Sequence, residues 1–376
     1  MKKTVARNIL LNPGPATTTD TVKMSQVVPD ICPREKEFQN IMFTITNDLL
    51  KIVNADAEKY CTTLFAGSGT ICIDAILSSL LPSRKKILII NNGSYSQRGV
   101  DVCSYYNLPF VDLKYDLNKT PNLFDIEEIL KKDTEIHLVY TTHHETGTGL
   151  LNPIRDIGKL VHKYNRVFAV DTTSTFAMIP LDMENDNLDF IMSSSQKGIG
   201  AMSGVAFVIG NRELLEKSKN YPKRSYYCNL YRQYNYFNKT GQMHFTPPVQ
   251  TLYSIRKALD ELSNETLQEK MKRHEEAFET LYNGLKKLGF TFYVDKPINS
   301  KVLLSILYPN DINWNFEKIH DFCYERGYTI YPGKVIDIPS FRLSIFGAID
   351  SKDINNFFIV FEEAIRKFNI NIPIQY

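Results

Sequence analysis

The sequence predicts an α/β protein: a large unit on a mostly parallel sheet covered by helices, then a smaller α+β unit. Three observations carry this. Residues about 55–255 alternate short apolar runs with longer amphipathic stretches, the pattern of strands joined by crossover helices. After Thr246-Pro247-Pro248 the alternation gives way to a long charged stretch with apolar residues at helical spacing. No internal repeat, low-complexity tract or flexible linker separates the two regions, so they are expected to pack closely.

The strand-like runs are Lys86–Ile90, Pro109–Leu113, His137–Tyr140, Val167–Asp171, Phe190–Met192 and Gly204–Ile209. Gly69–Leu81, Ile126–Lys132 and Pro153–Tyr164 suit the crossover helices. Beyond Pro248, Tyr253–Leu288 is a long charged stretch with apolar residues at helical spacing, including Leu262, Leu267, Met271, Phe278, Leu281 and Leu285. Phe290–Val294, Val302–Leu307 and Phe341–Ile345 read as strands, and Phe316–Arg326 and Lys352–Phe368 as helices.

Composition narrows the function classes. A net charge of +2 over 376 residues supplies no general attraction to nucleic acid or a membrane surface. No run approaches the ~18 apolar residues of a membrane span. The first fifteen residues hold only a three-residue apolar run, short of the roughly 7–15 of a secretory signal. Six scattered cysteines, with no Cys-x-x-Cys pair, fit free thiols in a cytoplasmic protein. The pair His143-His144 matches no zinc spacing and reads as structural.

Chemistry concentrates where strands end. Lys197 follows Phe190–Met192 within Ser193-Ser-Ser-Gln-Lys-Gly198, and Asp171 ends Val167–Asp171. A poorly solvated lysine amine is nucleophilic and can condense with the aldehyde of pyridoxal phosphate (PLP). A carboxylate nearby can keep that cofactor's pyridine nitrogen protonated. Gly67-Ser68-Gly69-Thr70 precedes a helix whose first N–H groups can grip a phosphate, with capping of that helix as the plainer reading. Tyr95 follows Lys86–Ile90 and can stack on a flat ring or simply pack. Thr146 lies in a hydroxyl-rich segment after His137–Tyr140. Arg342 interrupts the apolar run Phe341–Ile345, where a guanidinium can hold a carboxylate or phosphonate, or form a surface ion pair. Arg34 and Lys36 add positive charge in a polar segment near the start.

In this order, the motifs resemble the class V aminotransferases of fold type I. The matching stretches are Leu-Leu-Asn-Pro-Gly-Pro-Ala-Thr-Thr (10–18), Gly-Ser-Gly-Thr (67–70), Asn-Gly-Ser-Tyr-Ser-Gln-Arg (92–98) and His-Glu-Thr-Gly-Thr-Gly-Leu-Leu-Asn-Pro (144–153). Val-Asp-Thr-Thr-Ser (170–174), Ser-Ser-Gln-Lys (194–197), Phe-Thr-Pro-Pro (245–248), Ile-Tyr-Pro-Gly-Lys-Val (330–335) and Phe-Arg-Leu-Ser (341–344) continue them. Within the family, the branch acting on 2-aminoethylphosphonate and pyruvate is the most similar.

The resemblance implies a PLP-binding domain at 16–255 and a small domain made of 1–15 and 256–376. It implies that Lys197 carries PLP, Asp171 meets the ring nitrogen, Tyr95 stacks on the ring and Thr146 lies near the ring hydroxyl. Ser68, Gly69, Thr70 and Gln196 would bind the cofactor phosphate, and Arg342 would anchor the substrate's acidic group. Thr246 would reach the cofactor phosphate of a neighbouring subunit, giving a homodimer with shared active sites. The implied reaction is a ping-pong transamination between 2-aminoethylphosphonate/phosphonoacetaldehyde and pyruvate/alanine. An alanine–glyoxylate or serine–pyruvate aminotransferase is the alternative, and a non-catalytic scaffold on the same fold stands behind it.

Overall fold

The structure is a computed structural model that describes residues 5–333, 335 and 338–376. Residues 1–4 and Lys334, within the motif at 330–335, lie outside the described residues.

Seven strands form the central sheet: β1 (Tyr60–Ala66), β2 (Lys86–Asn91), β3 (Phe110–Lys114), β4 (Ile136–Thr142), β5 (Val167–Asp171), β6 (Phe190–Ser194) and β7 (Val205–Asn211). Their order is β1-β7-β6-β5-β4-β2-β3. The ladders β2–β3, β2–β4, β4–β5 and β5–β6 are parallel, and β7 alone runs against its neighbours. The expected mostly parallel sheet is therefore present.

Both faces of this sheet are covered, which is why its inner strands read as continuous apolar runs. Leu88, Val139, Phe168, Val170, Ile191 and Phe207 enter the core on one face. Ile87, Ile89, Leu138, Tyr140, Ala169, Phe190 and Met192 enter the core on the other. Each such large side chain contributes about 1.5–3 kcal/mol by leaving water. A third core gathers residues 277–374 together with Ile9, Leu11, Ala16 and Met178. It surrounds a three-stranded sheet of Leu303–Leu307, Ser340–Ser344 and Tyr331–Pro332. Ile9–Leu10 pairs in parallel with Tyr328–Thr329. The chain then crosses to the large sheet, where the Ala16 amide donates to the Gln196 carbonyl at 2.8 Å.

The helical spacing of Tyr253–Leu288 is not continuous: the stretch holds two helices, Val249–Glu265 and Leu267–Lys287. Thr266 between them has φ 62°, and its hydroxyl accepts from the Glu269 amide at 3.2 Å, capping the second helix. Apolar periodicity survives the break because both halves face cores. Phe290–Val294 is not a ladder strand either. It meets Leu303–Leu307 through the single bridge Phe292–Ile306 and two flanking hydrogen bonds, Tyr293 N to Ser305 O and Leu307 N to Thr291 O.

Among the described residues, no helix is long and apolar enough to cross a membrane, and no group of His, Cys, Asp and Glu is placed to hold a metal ion. All six cysteines are unpaired.

Candidate active site

Parallel strands deliver their carboxyl ends to one edge of the sheet, where loops can converge on a ligand. At this edge a cavity of about 490 Å³ is lined by Ser68, Gly69, Thr70, Tyr95, Thr146, Asp171, Gln196, Lys197 and Arg342. Nine of the ten residues to which the family resemblance gives a role thus meet in one place. The tenth, Thr246, is exposed and does not line the cavity. Arg34 does not line it either; its guanidinium is bound to the Met243 carbonyl and the Gln242 side chain.

Lys197 is 8% exposed and stands three residues beyond β6. Its Nζ lies 5.3 Å from the centre of the Phe346 ring and 6.0 Å from that of Tyr95. Gly14, at φ +116°, lets the crossing segment lie against it: a Cβ there would stand 2.7 Å from Lys197 Cε. Asp171 ends β5 and is 5% exposed. Burial raises its carboxyl above the ordinary range, opposed by the Thr173 hydrogen bonds and the charges of Lys197 and Arg98. Its Oδ1 accepts from the Thr173 amide at 2.8 Å, so it shapes its own turn rather than capping a helix.

The Gly67–Thr70 turn is not a side-chain cap. No side chain caps the helix Thr70–Ser79, and the Ile71 and Cys72 amides instead turn back to the Ser68 and Gly69 carbonyls, each at 3.0 Å. A Cβ on Gly69 would meet Thr173 and Ser194 at 3.2 and 3.5 Å, so the backbone there lies close to the opposite wall. Arg98 was not singled out from the sequence. Its NH1 donates to Thr70 Oγ1 at 3.1 Å and its guanidinium lies 4.6 Å from the Tyr95 ring centre. The available signal was its spacing, three residues after Tyr95 on the following helical turn.

Arg342 is 2% exposed, which excludes the surface ion pair. It donates through Nε to the Pro332 carbonyl at 3.0 Å and through NH1 to the Thr146 carbonyl at 3.2 Å. Among the described residues no carboxylate pairs with it. Burial lowers the affinity of its guanidinium for the proton, and Tyr95 and Tyr331 beside it oppose that. Of the histidine pair, His143 hydrogen-bonds Thr175 at 2.9 Å and His144 bonds Ser300 at 3.1 Å while lining the cavity. Burial drops His143 to about 3 and pushes His144 well below its ordinary value, so both imidazoles are neutral.

The cavity suits PLP on its own terms. Gln196, which lines it, has its Oε1 buried without a hydrogen-bond partner, a costly arrangement that a polar ligand relieves. A glycine turn at a helix start, an amine, a carboxylate and an aromatic ring complete the set of groups the cofactor needs.

Comparison with known proteins agrees. The profile of the family described as aminotransferase class V matches residues 23–342. The chain is 35% identical over 361 residues to a protein of Clostridioides difficile (strain 630) described as a bifunctional phosphonoacetaldehyde hydrolase/aminoethylphosphonate transaminase. That match covers 96% of this chain but 56% of the relative, so this chain spans little more than half of the bifunctional protein's length. It is 34% identical to a 2-aminoethylphosphonate–pyruvate transaminase of Lysinibacillus sphaericus (strain C3-41), covering 92% of this chain and 93% of that one. Among solved structures, ureidoglycine–glyoxylate aminotransferase from Bacillus subtilis superposes with a TM-score of 0.89 at 19% identity, covering 99% of this chain and 96% of that one. Alanine–glyoxylate aminotransferase from Nostoc sp. superposes with 0.86 at 21% identity, covering 97% of each chain. The chain belongs to the class V aminotransferases, PLP-dependent enzymes of fold type I.

Proposed function

We propose that this chain moves an amino group between 2-aminoethylphosphonate and pyruvate, giving phosphonoacetaldehyde and alanine. The observation that carries the substrate is the 34% identity to the transaminase of that name along 93% of its length. The buried Arg342, which pairs with no carboxylate among the described residues and shares a cavity with Lys197, supports it, because an acidic substrate needs a fixed cation near the reacting amine.

Bound in the cavity, PLP supplies an aldehyde that condenses with amines and a ring that accepts the electrons released when a substrate carbon loses its proton. The chain's own residues do the rest. Ser68, Gly69, Thr70 and Gln196 hold the phosphate, Tyr95 covers the ring and Thr146 lies by its hydroxyl. Asp171 holds a proton on the ring nitrogen. Lys197 Nζ would hold the cofactor and, once freed, would carry a proton between the substrate carbon and the cofactor. Arg342 binds the phosphonate of the amine and the carboxylate of the keto acid in turn, as a ping-pong exchange requires.

Three further readings belong to the same proposal. The protein is a homodimer in which exposed Thr246 reaches the neighbour's cofactor phosphate. It resides in the cytoplasm. The chain divides into 16–255 and a unit of 1–15 with 256–376, the helix Val249–Glu265 bridging them.

The test is a donor panel. Purified holoprotein should form alanine from pyruvate faster with 2-aminoethylphosphonate than with serine, and faster than it consumes alanine with glyoxylate. Borohydride should fix the cofactor to residue 197. A preference for serine or for the alanine–glyoxylate pair would replace the phosphonate reading, and label at another residue would remove Lys197 from its role.

A further inference from the structure

Glu145 takes no part in the chemistry above, yet it is a fully buried acid beside the cavity. Its backbone closes a tight turn, the carbonyl accepting from Thr148 N at 3.0 Å and Gly149 N at 2.8 Å. Its side chain crosses to the loop after β2, where Oε2 accepts from the Tyr95 amide at 3.1 Å and Oε1 from the Ser96 amide at 2.6 Å. These amides lead into the helix Gln97–Tyr105, whose own N-cap side chain makes no capping bond. A carboxylate from another segment therefore holds the two amides at the entrance to this helix. Gly93 provides the room, since a Cβ there would stand 2.3 Å from Oε2.

Through this residue three parts of the site are held in register. Tyr95 is fixed by the carboxylate, Thr146 is the next residue along the chain, and Arg342 donates to the Thr146 carbonyl. Burial raises the carboxyl's affinity for a proton, and the two amides oppose it. A buried acid so committed to backbone donors has a fixed geometry to impose.

We propose that Glu145 is a positioning residue whose carboxylate fixes the Tyr95 ring relative to Thr146 and Arg342. This rests on the transaminase reading insofar as Tyr95 covers the cofactor ring.

The experiment compares wild type, Glu145→Gln, Tyr95→Ala and the double variant. It reads the thermal stability of the cofactor-free protein, PLP affinity and the visible circular dichroism of bound PLP. Glu145→Gln should weaken PLP binding about tenfold, the worth of one charge-assisted hydrogen bond, and shrink the visible dichroism while leaving a folded apoprotein. In the Tyr95→Ala background the same change should add less than about twofold, because both act through one ring. Equal losses in both backgrounds would overturn the proposal, as would wild-type affinity and dichroism in Glu145→Gln. If that variant does not fold, Glu145→Asp, which keeps the charge and shortens the reach, takes its place. Failure of both to fold counts against a positioning role. A wild-type protein that binds no PLP overturns the transaminase reading instead.

Discussion

The Lys270 amine, carried on the helix Leu267–Lys287, donates to the carbonyl of Gly198, the residue directly after Lys197. Lys270 is 5% exposed. Gly198 has no space of its own, since a Cβ there would overlap the Phe176 carbonyl at 2.0 Å. Lys197 is thus followed by a residue pinned from two sides, once by a carbonyl and once by a second lysine.

That arrangement has a pH signature. Burial, aided by Arg273 and opposed by Glu265, drops the Lys270 ammonium from 10.5 to about 7. Between those values the unfolded chain binds a proton that the folded chain does not, so this group makes stability rise with pH across that window. Below about 7 both states are protonated and the folded state bears the full desolvation cost. Urea unfolding of wild type and Lys270→Met should therefore diverge in slope between pH 7 and 10.5, the variant lacking this rise. Parallel curves would show that the amine does not titrate there.

Arg342 offers a sharper functional test. Lysine in its place keeps the charge but loses the planar fork that meets two oxygens at once. Arg342→Lys should raise KM for both the phosphonate amine and the keto acid by roughly 10- to 100-fold, the worth of one or two charge-assisted hydrogen bonds. The visible band of the bound cofactor should persist. Unchanged KM values would place the acidic-group anchor elsewhere.

The sheet was legible in the sequence because its strands are buried on both faces and therefore uniformly apolar, as in Val167–Asp171. The polar residues at their carboxyl ends stood out against those runs, which is why Asp171 and Lys197 could be found. What periodicity does not encode was missed. Thr266 breaks a helix through a positive φ that a β-branched residue rarely adopts, and no side-chain pattern marks it. Arg98 and Glu145 act by reaching across to other segments, Thr70 and the Tyr95 loop, and sequence spacing carries no record of such contacts.

A second pH effect lies far from the cavity. His162 Nε2 and Asp189 Oδ2 are 3.0 Å apart, and the same oxygen accepts from the Phe168 amide within β5. The hydrogen bond to Asp189 holds the imidazolium above its ordinary 6.5. A raised folded value means stabilisation that is complete below 6.5 and fades as pH climbs through the raised value. Glutamine keeps a donor without titrating, so the Tm difference between wild type and His162→Gln should be largest on the acid side and shrink with rising pH. A constant difference would mean the pair acts only as a neutral hydrogen bond.

Gly14 links backbone conformation to the Lys197 amine most directly. Its φ of +116° is one that side-chain-bearing residues rarely adopt, and the missing Cβ is the space that Lys197 Cε occupies. Alanine there faces both problems at once. The backbone strain costs about 1–3 kcal/mol, while the clash is relieved by swinging the flexible end of Lys197 away from its place. Gly14→Ala should therefore lose attachment of the cofactor out of proportion to its loss of stability. Borohydride trapping at residue 197, measured well below the variant's Tm, separates the two. A variant that is less stable but traps cofactor at the wild-type rate would mean that the crossing segment tolerates the added methyl without disturbing the lysine.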